Sequence, residues 1–140
     1  MIPGLEQTHA VAMLDLPGIG RLAARGLHTA SAAEPTHDHA IDPHVWLSPA
    51  NAVAMGDAIA QTLAAIDPAN ATRYSENAAH LRRRLSLLDQ QLWDEFSGVT
   101  GRFVVFHDAY QYLERHYGLQ SSGSVTRHPG REPGAGHLAA

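Results

Sequence analysis

The sequence predicts an α/β fold, and three neighbouring patterns carry that expectation. Phe103-Val104-Val105-Phe106 is an apolar run of strand type. A short helix is expected from Ala109 to Tyr117, with Gly118 as its C-terminal stop. Leu119 to Val125 reads as a second strand. A strand, a helix and a strand in that order, with the strands parallel, make an α/β unit.

The elements before it are helical. Ser48 is a good N-cap and Pro49 a good first helical residue. Val53, Ile59, Leu63 and Ile66 then supply an apolar face. Asp67-Pro68 ends this helix and opens a longer one. Tyr74, Ala78, Leu81, Leu85, Leu88, Leu92 and Phe96 keep a spacing of three to four over several turns. Gly98 and Gly101 close it. Arg82, Arg83 and Arg84 read as a solvated helix face. Upstream, Ala10 to Leu16 reads as a short strand or part of a helix, and Pro17-Gly18 as a turn. Residues 31–43 are loop-like, and the tail from Arg127 is rich in Gly and Pro.

Composition narrows the function. The chain has 140 residues, one domain's length, and a formal net charge of −4. An acidic balance disfavours nucleic acid as a partner, because phosphate neutralisation needs clustered positive charge. The absence of cysteine excludes disulfides and thiolate metal sites. No stretch is apolar enough to span a bilayer, and no signal peptide is visible. Ten histidines stand out, and imidazole is a common ligand for zinc and related metals.

Two histidines sit where a ligand could act. His107 falls at the end of the first strand, and open α/β sheets bind ligands beyond the carboxyl ends of their strands. Asp108 could support it or cap the next helix. His44 lies between Pro43, which stiffens the backbone, and Trp46, which is expected to anchor the segment in the core. Asp42 could orient the His44 imidazole, an arrangement common at metal sites. Spacing alone favours the plainer readings, an exposed loop histidine for His44 and a carbonyl-bonded strand-end histidine for His107. His37-Asp38-His39 suits weak or accessory binding. No catalytic residues are expected, for the chain lacks a Gly-rich phosphate loop, His-Glu-x-x-His and Gly-x-Ser-x-Gly. Asp42, Asp108 and Glu114 read as ordinary carboxylates.

Motif context changes the balance. The chain resembles the periplasmic zinc-binding components of ABC importers, the ZnuA type. The matching stretches are His37-Asp38-His39, Asp42-Pro43-His44-Val45-Trp46-Leu47-Ser48-Pro49, Ile66-Asp67-Pro68-Ala69-Asn70, Phe103-Val104-Val105-Phe106-His107-Asp108-Ala109-Tyr110-Gln111-Tyr112, Tyr117-Gly118-Leu119 and Gly123-Ser124-Val125-Thr126. The resemblance implies a partial two-lobe solute-binding protein, with a long backbone helix over Pro68–Ser97 and an incomplete C-terminal βαβ lobe. It divides the chain into residues 1–47 (remnant of a first lobe and histidine loop), 48–97 (helical) and 98–140 (incomplete second lobe).

The same resemblance implies His44 and His107 as metal ligands, Zn2+ as cargo, a membrane permease as partner and a periplasmic location. Related manganese or iron carriers have a glutamate at the position of His107, so zinc is the preferred metal and manganese the alternative. Departures are visible too. Family members are longer, Gly130 replaces a glutamate, and His128 replaces an asparagine. The chain is therefore expected to be a piece of a longer protein, binding zinc weakly alone. A small metal-dependent hydrolase and a non-functional remnant are the competing readings.

Overall fold

The computed structural model describes residues 10–25 and 41–126. His37, His39, His128 and the Gly-Pro tail lie outside the described residues. Two long helices form a hairpin, followed by a strand–helix–strand unit: α1 (Pro49–Ile66), α2 (Ala71–Phe96), β1 (Phe103–His107), α3 (Gln111–Tyr117) and β2 (Ser121–Thr126). The strands are parallel, so the α/β expectation holds.

Local chemistry sets the helix ends. Ser48 Oγ accepts from the Asn51 amide at 3.4 Å, and Pro49 opens α1. Between α1 and α2 the chain makes a 3-10 turn over Pro68–Asn70, so α2 begins three residues later than the Pro68 start expected. The Asp67 carboxylate accepts from Asn70 Nδ2 and Tyr74 Oη, each at 2.8 Å. Those two bonds hold its pKa below the ordinary aspartate value. The hairpin is close-packed at Gly56, where an added Cβ would lie 2.8 Å from Leu81 Cδ2. Arg82 does lie on an exposed surface, but its guanidinium is tied to Asp57 at 2.7 and 2.8 Å.

The apolar stripe of α2 is only partly covered. Leu81 and Leu88 are 40% and 47% exposed, and α2 contains no fully buried residue. In β1 the residues alternate: Phe103, Val105 and His107 turn inward, while Val104 and Phe106 stay exposed. Period-two geometry requires that division once one face is packed.

The small core joins distant segments. Ile19, Val45 and Tyr112 are buried together, with Leu14, Leu16, Leu22, Leu47, Ala54 and Met55 packed around them. Trp46 does not take the anchoring place expected of it. Residues Val45–Leu47 form a 3-10 turn, which turns Val45 inward at 2% exposure and leaves Trp46 52% exposed. Ala10–Leu16 is neither strand nor α-helix but contains a 3-10 turn, Met13–Asp15. The chain just after it is held at Gly20 by Asn51, a buried side chain on α1. Asn51 Oδ1 accepts from the Gly20 amide at 2.8 Å, and Nδ2 donates to Gly20 O at 2.9 Å and Val45 O at 3.0 Å.

The α2–α3 contact is aromatic and polar. Asp89 Oδ1 accepts from Tyr117 Oη at 2.9 Å and pairs with His116 Nε2 at 2.7 Å. The Trp93 and Phe96 rings lie against Tyr117. Gly118 ends α3 at φ 70°, a left-handed position that favours glycine.

Two outcomes follow for stability. Asn51→Ala removes three side-chain hydrogen bonds to backbone groups and should cost about 2–3 kcal/mol in denaturant unfolding. An unchanged midpoint would contradict this role. Burial, then the bond to Asp89, pushes the Tyr117 hydroxyl up to about 12 from 10.0. The unfolded chain therefore loses that proton first. The stabilisation is complete below pH 10 and fades as pH rises towards 12. Melting temperatures of wild type and Tyr117→Phe should converge across that window.

Candidate metal centre

His44 is held by its own neighbours. Asp42 is 5% exposed, and its Oδ1 accepts from the His44 amide at 2.9 Å and the His44 Nδ1 at 2.7 Å. With the proton on Nδ1, Nε2 is left as a bare lone pair, the tautomer a metal requires. Asp42 is fixed in turn. Its amide donates to Leu22 O at 2.9 Å, and its carbonyl accepts from Tyr112 Oη at 3.0 Å. Tyr112 Oη also accepts from the Leu22 amide at 2.9 Å.

His107 ends β1, and its imidazole meets that of His44. The Nε2 atoms are 3.3 Å apart, with ring centroids 5.1 Å apart at 70°. Such a separation admits a hydrogen bond between the rings. It equally matches a tetrahedral zinc edge, about 3.3–3.4 Å for Zn–N bonds of about 2.0–2.1 Å. The His107 Nδ1 is buried without a hydrogen-bond partner. Trp46 closes one side, its ring 5.4 Å from that of His44. Among the described residues, no group of three or more His, Cys, Asp or Glu side chains surrounds one point.

Chain folding thus brings together His44, His107 and Asp42, separated by up to 65 positions in sequence. Asp108 neither caps α3 nor supports His107. The helix starts after Tyr110 without a side-chain cap, and Asp108 Oδ1 pairs with Arg25 Nη1 at 2.9 Å. Glu114, read as an ordinary carboxylate, is buried and pairs with Arg25 Nη2. Burial opposes the Arg25 charge, but the Glu114 bond and the charges of Asp108, Glu114 and Asp42 outweigh it and raise the guanidinium pKa. Arg25 and Asn51 carried no sequence signal, and Tyr112 stood within a matching motif without a sign of its bonding role. Their partners lie far away in the chain, Arg25 being 83 and 89 residues from its two carboxylates.

Parallel strands joined by a helix, following a long helical hairpin, define an α/β chain in which His44 meets His107 at the carboxyl end of β1. Comparison with known proteins carries this further. The family model described as "Zinc-uptake complex component A periplasmic" matches residues 3–140, and the chain belongs to this ZnuA family. It is 44% identical over 100 residues to the high-affinity zinc uptake system protein ZnuA of Paracoccus denitrificans, covering 71% of this chain and 31% of that protein. A solved ZnuA crystal structure superposes with a TM-score of 0.69 at 30% identity, covering 89% of this chain and 44% of the other. The solute-binding protein FpvC of Pseudomonas aeruginosa, solved with Mn2+, gives 0.68 at 29% identity, covering 89% and 44%. The chain therefore spans less than half the length of these relatives. Members of the family are transport binding proteins rather than enzymes.

Tyr112→Phe keeps the ring but removes both hydroxyl bonds. It should lower stability by about 1–3 kcal/mol and speed amide exchange at Leu22 more than at the α1–α2 hairpin. Uniform acceleration across both would contradict a local role.

Proposed function

We propose that this chain provides part of the zinc-binding centre of a metal importer's solute-binding protein, with His44 and His107 as ligands. The supporting observation is the 3.3 Å Nε2–Nε2 separation, with the His44 Nδ1 already bonded to Asp42. Two imidazoles favour zinc over manganese, which prefers oxygen donors. The Mn2+-bound neighbour shows that this fold also hosts manganese, so the donor set carries the choice of metal. Zinc sites use three or four protein ligands. His37, His39, His128 or residues outside this chain would supply the rest.

The proposed role is capture and delivery. Zinc is cargo: it binds at the paired imidazoles in the periplasm and passes to a membrane permease. The division at residues 47 and 97 fits this role, with the α1–α2 hairpin linking the segments that carry His44 and His107. The His44–Asp42 bond fixes the ring before the metal arrives, which lowers the ordering cost of binding.

Competition titration with a zinc chelator tests the reading. His44→Ala and His107→Ala should each weaken zinc binding, and Asp42→Ala should weaken it about 10–100-fold. A double His44→Ala/His107→Ala chain that binds zinc like wild type would overturn the assignment. Sub-nanomolar affinity for the isolated chain would instead show that its own residues complete the site.

A further inference from the structure

Two carboxylates, Asp108 and Glu114, hold one guanidinium, that of Arg25. Arg25 donates to Asp108 Oδ1 at 2.9 Å and to Glu114 Oε2. The negative charge of Asp42, the carboxylate that orients His44, also favours the charged form of Arg25. Asp108 directly follows His107. The chain turns sharply there, with the Ala109 amide donating to His107 O at 2.9 Å. A carboxylate thus stands one residue from a proposed ligand, and an arginine 83 positions away holds it. Glu114 is buried, and its Oε1 has no hydrogen-bond partner.

The consequence concerns donor type. A free carboxylate beside two imidazoles is the commonest oxygen donor a divalent cation could recruit. Adding one would move the centre towards cations that prefer oxygen, manganese among them. Arg25 instead bridges the two carboxylates, with one nitrogen on Asp108 Oδ1 and the other on Glu114 Oε2, so the planar guanidinium fixes where the Asp108 side chain points. We propose that Arg25 is a specificity-determining positioning residue, which keeps the Asp108 carboxylate out of the metal's coordination shell and so preserves a nitrogen-rich centre. The proposal rests on the His44–His107 centre described above. Glu114 serves as the second anchor, and fixes the guanidinium from the α3 side.

The test uses Co2+ as a spectroscopic substitute for zinc, with Zn2+ and Mn2+ competition on the same samples. In Arg25→Met, an entering oxygen donor should weaken and shift the visible cobalt bands. Mn2+ affinity relative to Zn2+ should rise about tenfold, the lower end of effects seen when groups around metal ligands are changed. Arg25→Met/Asp108→Asn should return the cobalt spectrum and the metal ratio towards wild type, a rescue that a merely structural role would not produce. If Arg25→Met fails to fold, Arg25→Lys replaces it. A single ammonium keeps the charge but lacks the fork that grips both carboxylates, and the same changes should appear in weaker form. A folded Arg25 variant with wild-type cobalt bands and an unchanged Zn2+ to Mn2+ ratio overturns the proposal. The double His44→Ala/His107→Ala chain separates the two ideas. If it keeps the wild-type cobalt spectrum, the metal centre itself is wrong. If it loses the spectrum while the Arg25 variants keep theirs, only the role of Arg25 falls.

Discussion

Asp42 is the residue on which the described structure converges. Its amide and carbonyl join the segment before the helices to α3, through Leu22 and Tyr112. Its carboxylate holds the His44 backbone and imidazole together. A buried carboxylate is costly unless its hydrogen bonds are made. Here that cost is offset by bonds that also fix a ring, so one requirement of folding and one of the site are met by the same atoms. Loss of the Leu22 or Tyr112 contacts would therefore reach His44 through Asp42 rather than by any direct touch.

The second constraint is distance along the chain. His44 and His107 are 63 residues apart, and the α1–α2 hairpin fills most of that interval. The hairpin closes the long loop because Gly56 lets Leu81 approach and Asp67 braces the turn. Beyond the hairpin, β1 ends on His107, and the parallel partner β2 aligns Thr126 beside it. The imidazole pair is thus positioned from one side by a loop bonded to Asp42, and from the other by a strand terminus. Two independently held imidazoles whose Nε2 atoms meet at 3.3 Å suit a small cation better than an extended ligand. The exposed Val104 and Phe106 on the outer sheet face belong to a different surface, turned away from the imidazoles by strand alternation.

Electrostatics around the pair are balanced rather than simply acidic. Asp42, Asp108 and Glu114 all act on Arg25, and only Asp42 is directed at an imidazole. Asp42 is thus bonded to His44, while Asp108 and Glu114 are each tied to Arg25 through one oxygen. That arrangement is consistent with the family to which the chain belongs, whose named members take up zinc.

Much of this was legible in the residues themselves. Helix caps, proline stops and period-3.6 stripes are local, so Ser48-Pro49, Asp67-Pro68 and Gly118 marked element ends to within a few positions. Parallel pairing followed from the strand–helix–strand order, and motif context singled out His44, His107 and Asp42. Tertiary structure decided which groups meet. It turned Val45 inward in place of Trp46, because a 3-10 turn presents one residue of three to the core. It gave Asp108 to Arg25 instead of a helix cap, and made Tyr112 and Asn51 the hydrogen-bonding hubs of segments 31–90 residues away. Those pairings depend on where distant backbone groups come to rest, which no local pattern encodes. The sequence by itself determined the elements and the ligand-type residues; only the folded chain determined which carboxylate faces an imidazole and which faces an arginine.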